Sequence, residues 1–218
     1  MKIILGSCGL STEPITKTCE ELVGKKRQDI NAIVINEAIK GESGDHRWFV
    51  EELEHLAKTI GGNLEFIDIQ AHPLDYVEKR IAEADLVYCF GGNTGYIANI
   101  FMKTGFEKML PKILEEKVWV GSSAGSCVLC HKGPTSIQRT IYKEEYDANQ
   151  YMGIIPIVFL PHLHGYFKFD ERDIKQISKG IDLPVYALSD NAAIVIDENR
   201  PLEVVGEDYI VARRGEVL

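Results

Sequence analysis

Long apolar runs are absent from this chain of 218 residues. None approaches the roughly 18 residues that a membrane-spanning helix needs. The apolar opening of MKIILGSCGL stops at Gly6 and Ser7. That is too short for a secretory core and reads as a first buried strand. Positive charge is scarce too: 24 Lys and Arg stand against 33 Asp and Glu, a net charge of −9. Neither nucleic acid nor membrane is expected as a partner, because each calls for a basic face. The five cysteines (Cys8, Cys19, Cys89, Cys127 and Cys130) are an odd number without framework spacing. Lacking an export signal, the chain is expected to be cytoplasmic with reduced thiols. No linker, repeat or low-complexity stretch divides it, so residues 1–218 read as one domain. No G-x-G-x-x-G is present, and no Lys-Ser/Thr pair follows a glycine loop, which disfavours dinucleotide and P-loop binding. No His/Cys/carboxylate spacing marks a metal site, and no cofactor is expected.

The remaining composition, 45% hydrophobic and 26% charged, is that of a globular protein able to build a core without staples. Short apolar runs alternate with amphipathic stretches. Strands are predicted at Lys2–Leu5, Ala32–Ile35, Leu64–Ile69, Leu86–Phe90, Val118–Gly121 and Ile157–Leu160. Helices are predicted at Ile15–Leu22, Trp48–Ile60, Leu74–Glu83, Tyr96–Glu116 (with breaks at Gly105 and Pro111) and from Ala124 to Cys130. This alternation implies βαβ units and a mostly parallel sheet covered on both faces. Four closely spaced runs near the C-terminus, Val185–Leu188, Ala192–Ile196, Leu202–Val205 and Tyr209–Ala212, read as an antiparallel meander or sheet extension. Ligands of open parallel sheets bind beyond the carboxyl ends of the strands. The segments that follow strands therefore carry the search for chemistry.

Gly121-Ser122-Ser123-Ala124-Gly125 joins a strand to a helix and matches G-x-S-x-G, a nucleophile elbow. A tight turn of this kind projects the central hydroxyl above the sheet, and flanking glycines let strand and helix approach. Ser123 is the candidate nucleophile and the Ala124 N–H a candidate oxyanion donor. Gly91-Gly92-Asn93-Thr94 ends another strand, with bare glycines whose N–H groups face a ligand. The Gly92 N–H is the second candidate donor. A serine needs a base. His162 and His164 follow the strand Ile157–Leu160, and strand alternation would aim only one of them, His162, at Ser123. The base needs an acid. Asp190 sits at a strand end and is preferred over Glu144, Glu145 and Asp147, although Ser189-Asp190-Asn191 also suits a plain turn.

Together, Gly91-Gly92-Asn93-Thr94, the elbow, Pro161-His162 and Asp190-Asn191-Ala192-Ala193-Ile194 resemble the dipeptidase E and cyanophycinase family of serine peptidases. The resemblance implies a flavodoxin-like three-layer α/β sandwich, as in class I glutamine amidotransferases, with a C-terminal antiparallel extension. It further implies a small peptide substrate, a Ser123–His162–Asp190 triad working through an acyl-enzyme, and a Gly92/Ala124 oxyanion hole. Asp190 stands where the family more usually has Glu. Asp170 falls where aspartyl dipeptidases of the family carry a substrate-gripping arginine, and Arg172 is shifted from it. Asn93, His164, Asp170 and Arg172 are the candidate substrate-binding residues. A monomer or homodimer is expected. The competing expectations are an ester hydrolase of α/β-hydrolase type, disfavoured because no histidine follows His164, and a non-catalytic binding or sensor protein on the same scaffold. Two smaller signals remain. Cys127-Val128-Leu129-Cys130-His131 has the haem-attachment spelling but reads as core filling, and Cys8 near the active edge is open to a reactive-thiol role.

Overall fold

A computed structural model of the chain describes residues 1–134, 146–165 and 169–218. Four almost wholly buried apolar runs form β1 (Lys2–Gly6), β2 (Ala32–Ile35), β4 (Leu86–Cys89) and β5 (Val118–Ser122), and the shorter, half-exposed β3 (Leu64–Phe66) joins them at the edge. They lie in the order β3-β2-β4-β5-β1, each pair parallel. Successive residues face opposite sides, so each strand feeds two cores. Ile3, Leu5, Val87, Cys89 and Trp119 enter one core, and Ile4, Leu86, Tyr88, Val118 and Val120 the other. The first core is covered by α3 (Leu74–Glu83), α4 (Thr94–Thr104) and α5 (Leu110–Glu116), the second by α1 (Glu13–Val23) and α2 (Arg47–Thr59). The result is a three-layer α/β sandwich.

The C-terminal runs depart from a single meander. β8 (Ala193–Asp197), antiparallel to β1, and β9 (Arg200–Val205), antiparallel to β8, extend the main sheet to seven strands. By contrast, β6 (Val158–Leu160), β7 (Val185–Leu188), β10 (Tyr209–Arg213) and β11 (Glu216–Val217) make a second, four-stranded sheet. Ala193, Ile194 and Val195 are all buried, and β8 places Ala193 and Val195 in one core of the central sheet and Ile194 in the other. The second sheet packs with α7 (Glu171–Ser178) on a small core of Val158, Leu160, Ile174, Val185, Ala187 and Ala212. The predicted helix over 96–116 is split at Gly105, which adopts φ +84° as the left-handed cap of α4. The elbow helix α6 (Ala124–Cys127) is shorter than predicted, because Cys130 leaves it to bridge Ile155. Among the described residues no helix is long and apolar enough to cross a membrane.

This topology assembles one rim. β4, β5 and β1 are neighbours and parallel, so Gly91, Ser123 and Ser7 emerge side by side. Because β8 runs antiparallel, its first residue, Ala193, pairs with Gly6 at the end of β1, and Asp190 arrives at the same edge. The Ser7 hydroxyl, fully buried, donates to Leu188 O at 2.9 Å and accepts the His162 N–H at 3.2 Å. It thus ties the second sheet to the end of β1.

Candidate active site

Ser123 adopts φ +47°, ψ −109°. A non-glycine residue in such a region costs about 1–3 kcal/mol and persists only where its surroundings fix it. Here the Ser123 N–H donates to Gly6 O at 3.0 Å, while Ser123 O accepts from the Ser126 and Cys127 N–H groups at 2.9 Å. The Ser126 hydroxyl also donates to Gly6 O, at 2.9 Å. The two elbow glycines permit the approach. A Cβ on Gly121 would lie 2.6 Å from the Gly125 carbonyl, and one on Gly125 only 2.0 Å from Cys89 O.

His162 leaves β6 in a left-handed turn at φ +64°, and His164 repeats it at +63°. Between them Leu163 is buried and bonds through its N–H to Leu188 O at 2.8 Å. Only one of the two histidines faces Ser123, as predicted, but a turn rather than strand alternation separates them. His162 Nε2 lies 3.0 Å from Ser123 Oγ, and its Nδ1 lies 2.6 Å from Asp190 Oδ1. The bond from His162 holds the half-buried Asp190 carboxyl below its usual range, against the opposing effect of burial. Burial first, then the charges of Asp190 and Glu52, push the neighbouring Cys8 thiol far above its ordinary value. That corrects the reactive-thiol reading, since the thiolate is the reactive form. Cys8 Sγ, His162 and Asp190 offer ligand atoms within 4.8 Å of one another, a grouping that spacing along the chain conceals. The carboxylate and imidazole of this grouping are already bonded to each other at 2.6 Å.

Gly92 stands at φ +129°, and a Cβ there would sit 2.4 Å from Ala38 C. Only glycine fits. Ala124 is the first residue of α6. Among the described residues no backbone acceptor takes the N–H of either Gly92 or Ala124. Gly91, one residue before Gly92, packs on the elbow, since a Cβ on it would lie 3.2 Å from Ser123 Cβ.

These groups open onto a cavity of about 880 Å³. Ser123, His162, Asp190, Gly92 and Asn93 line it. Asn93 is nonetheless committed to α4, its Oδ1 accepting the Tyr96 N–H at 2.6 Å as the helix cap. Three predicted substrate contacts lie elsewhere. His164 is exposed and off the cavity wall. Asp170 caps α7 in a reciprocal capping box with Asp173 and also binds Arg172 at 2.8 Å. The Arg172 side chain is 91% exposed. Both turn to helix and solvent because a capping carboxylate must face its own helix N-terminus. Glu144 and Glu145, the alternative acids, fall outside the described residues. Cys127 and Cys130 are buried, as core filling requires. Ser7, Glu52 and His55 on the wall carry no sequence motif; Ser7 alone was signalled, by following a strand.

Residues 3–204 match the family model described as Peptidase family S51. The chain belongs to this family, and is a serine-type peptidase. Curated relatives include the uncharacterized peptidase Lmo0363 of Listeria monocytogenes, 24% identical over 161 residues, covering 68% of this chain and 74% of the relative. Another is the uncharacterized peptidase PM1590 of Pasteurella multocida, 20% identical over 158 residues, covering 69% and 74%. Among solved structures, a candidate peptidase E protein from Listeria monocytogenes EGD-e superposes with TM-score 0.72 at 22% identity, covering 95% of this chain and 98% of that one. A peptidase from an acI-B1 Actinobacterium does so with TM-score 0.67 at 17% identity, covering 100% and 96%. At these identities the structures share the S51 fold with this chain.

Proposed function

We propose that this S51 peptidase is an exopeptidase of short peptides, a dipeptidase, working through Ser123, His162 and Asp190. The continuous path from Ser123 Oγ to His162 Nε2 (3.0 Å) and from Nδ1 to Asp190 Oδ1 (2.6 Å) carries this reading. Ser123 Oγ attacks the scissile carbonyl as Nε2 takes its proton. Asp190 fixes the tautomer with Nδ1 protonated and stabilises the imidazolium. The Gly92 and Ala124 N–H groups receive the developing oxyanion, where losing one donor typically costs about 3–4 kcal/mol of barrier. The imidazolium then protonates the leaving amine as the C–N bond breaks, leaving an acyl ester on Ser123. Water, deprotonated by Nε2, hydrolyses that ester and restores the hydroxyl. A cavity of about 880 Å³ suits a short peptide rather than a folded chain. Family membership favours peptide over ester chemistry and over a non-catalytic sensor. The test is hydrolysis of a dipeptide panel by wild type and Ser123→Ala. Turnover abolished with an unchanged melting temperature is expected. Equal turnover would refute the reading.

A further inference from the structure

The cavity wall has an unbalanced charge. Asp45, Glu51, Glu52 and Asp190 line it, while among the described residues no Lys or Arg does. Asp45 is paired outward, to Arg47 Nε at 2.6 Å. Glu52 is different. It lies deep in the wall, where burial raises its carboxyl despite donation from the Ser122 hydroxyl, donation from the Tyr88 hydroxyl at 2.8 Å and the nearby charges of His162 and His55. A buried carboxylate is ordinarily matched by a cation. Among the described residues Glu52 has no Lys or Arg partner, and the space beside it is open cavity. A second polar group lies beside it. The Ser122 hydroxyl, in a residue only 1% exposed, lines the cavity within hydrogen-bonding reach of the Glu52 carboxyl. A carboxyl with no Lys or Arg beside it and a hydroxyl whose lone pairs face the same space, next to the nucleophile, make an incomplete site for a donor-rich cation.

We propose that the cavity selects a positively charged N-terminal residue, lysine or arginine, with Glu52 as its principal anchor and Ser122 as an accessory acceptor. The inference rests on the peptidase reading of the same site. An ammonium or guanidinium entering the cavity completes the missing ion pair. An aspartyl side chain there meets like charges. Arg172, the nearest substitute for a carboxylate-gripping arginine, is turned to solvent.

The test compares Lys-Leu, Arg-Leu, Leu-Leu and Asp-Leu, with kcat/KM measured for wild type, Glu52→Gln and Glu51→Gln. In parallel, direct binding of the same dipeptides to Ser123→Ala reads affinity without turnover. Expected is a preference of Lys-Leu over Asp-Leu of at least 100-fold. The Lys-Leu to Leu-Leu ratio should fall about tenfold in Glu52→Gln and less in Glu51→Gln. A best rate or tightest binding with Asp-Leu overturns the inference. So does an equal loss of Lys-Leu and Leu-Leu in Glu52→Gln, which would make Glu52 a reader of the α-ammonium alone. Labelling of Ser123 by a fluorophosphonate separates the two readings. A labelled enzyme that prefers Asp-Leu keeps the peptidase and loses the specificity. An enzyme that neither labels nor cleaves any dipeptide loses the peptidase reading, while binding to Ser123→Ala still decides the cavity's preference.

Discussion

Gly125→Ala puts the elbow under a defined load. The new Cβ would stand 2.0 Å from Cys89 O, 2.6 Å from Cys89 C and 3.0 Å from Cys89 Cβ, where ordinary contact begins near 3.4 Å. Two of these atoms are backbone at the fully buried end of β4, so no side chain can swing away. α6 and β4 must part by about 1.4 Å. That movement passes to Ser123, which precedes α6, and to Gly91 and Gly92, which follow β4. Overpacking of this kind costs about 1–3 kcal/mol, or about 2–12 °C of melting temperature in a chain of this size. A misplacement of about 1 Å at the reacting centre costs on the order of 100-fold in rate. The assays are a thermal melt and the second-order rate of fluorophosphonate labelling. Gly165→Ala serves as the graded comparison, since its Cβ would stand 3.3 Å from both Asp190 Oδ2 and the His162 carbonyl oxygen, a crowding relieved by shifts of a few tenths of an ångström, so its losses should be smaller than those of Gly125→Ala. A Gly125→Ala protein that melts and labels like wild type would refute the close-approach reasoning.

Other outcomes follow from the same geometry. Asp190→Asn removes the group that fixes the His162 tautomer and should lower turnover by about 10⁴-fold in a dipeptide assay, with the fold intact. Because the Asp190 carboxyl is depressed in the folded chain, its contribution to stability is present above its unfolded value of about 3.9 and is lost as pH falls through the folded value. The melting-temperature gap between wild type and Asp190→Asn should therefore close in acid. Glu52 has the opposite sign. Its carboxyl is raised, so the stability linked to its proton is full below about pH 4.3 and is lost as pH rises through the folded value. Glu52→Gln should melt higher than wild type at pH 7 and no higher at pH 4, read by calorimetry at both. Ser7→Ala breaks both hydrogen bonds that tie His162 and Leu188 to β1, and should cost about 1–3 kcal/mol by denaturant titration together with slower labelling of Ser123.

The parallel half of the fold was legible because its inner strands are short, doubly buried apolar runs that alternate with amphipathic helices, a pattern two-faced burial explains. The elbow was legible because strand, glycine spacing and small residues coincide at Gly121–Gly125. The pairing of the last strands was not legible: Val185–Leu188 and Ala193–Asp197 look alike as runs, each feeds two cores, and neither run names its neighbour. His162 was found for a partly mistaken reason, since its direction comes from a left-handed turn that no local rule requires of a histidine. Asp170 and Arg172 misled because sequence offset cannot distinguish a helix cap from a pocket wall. Glu52 was invisible. It lies on a helix with ordinary periodicity, and its meaning comes from β1, β4 and β5 converging beside it.

The central claim is that Ser123 Oγ is activated by His162, held in turn by Asp190. It is tested most directly by treating the folded protein with a fluorophosphonate and mapping the adduct by peptide mass spectrometry. The account predicts a single adduct on Ser123, formed at least 1,000-fold more slowly in His162→Ala, as expected when the activating base is removed. An adduct elsewhere, or a labelling rate on Ser123 indifferent to the loss of His162, would contradict it.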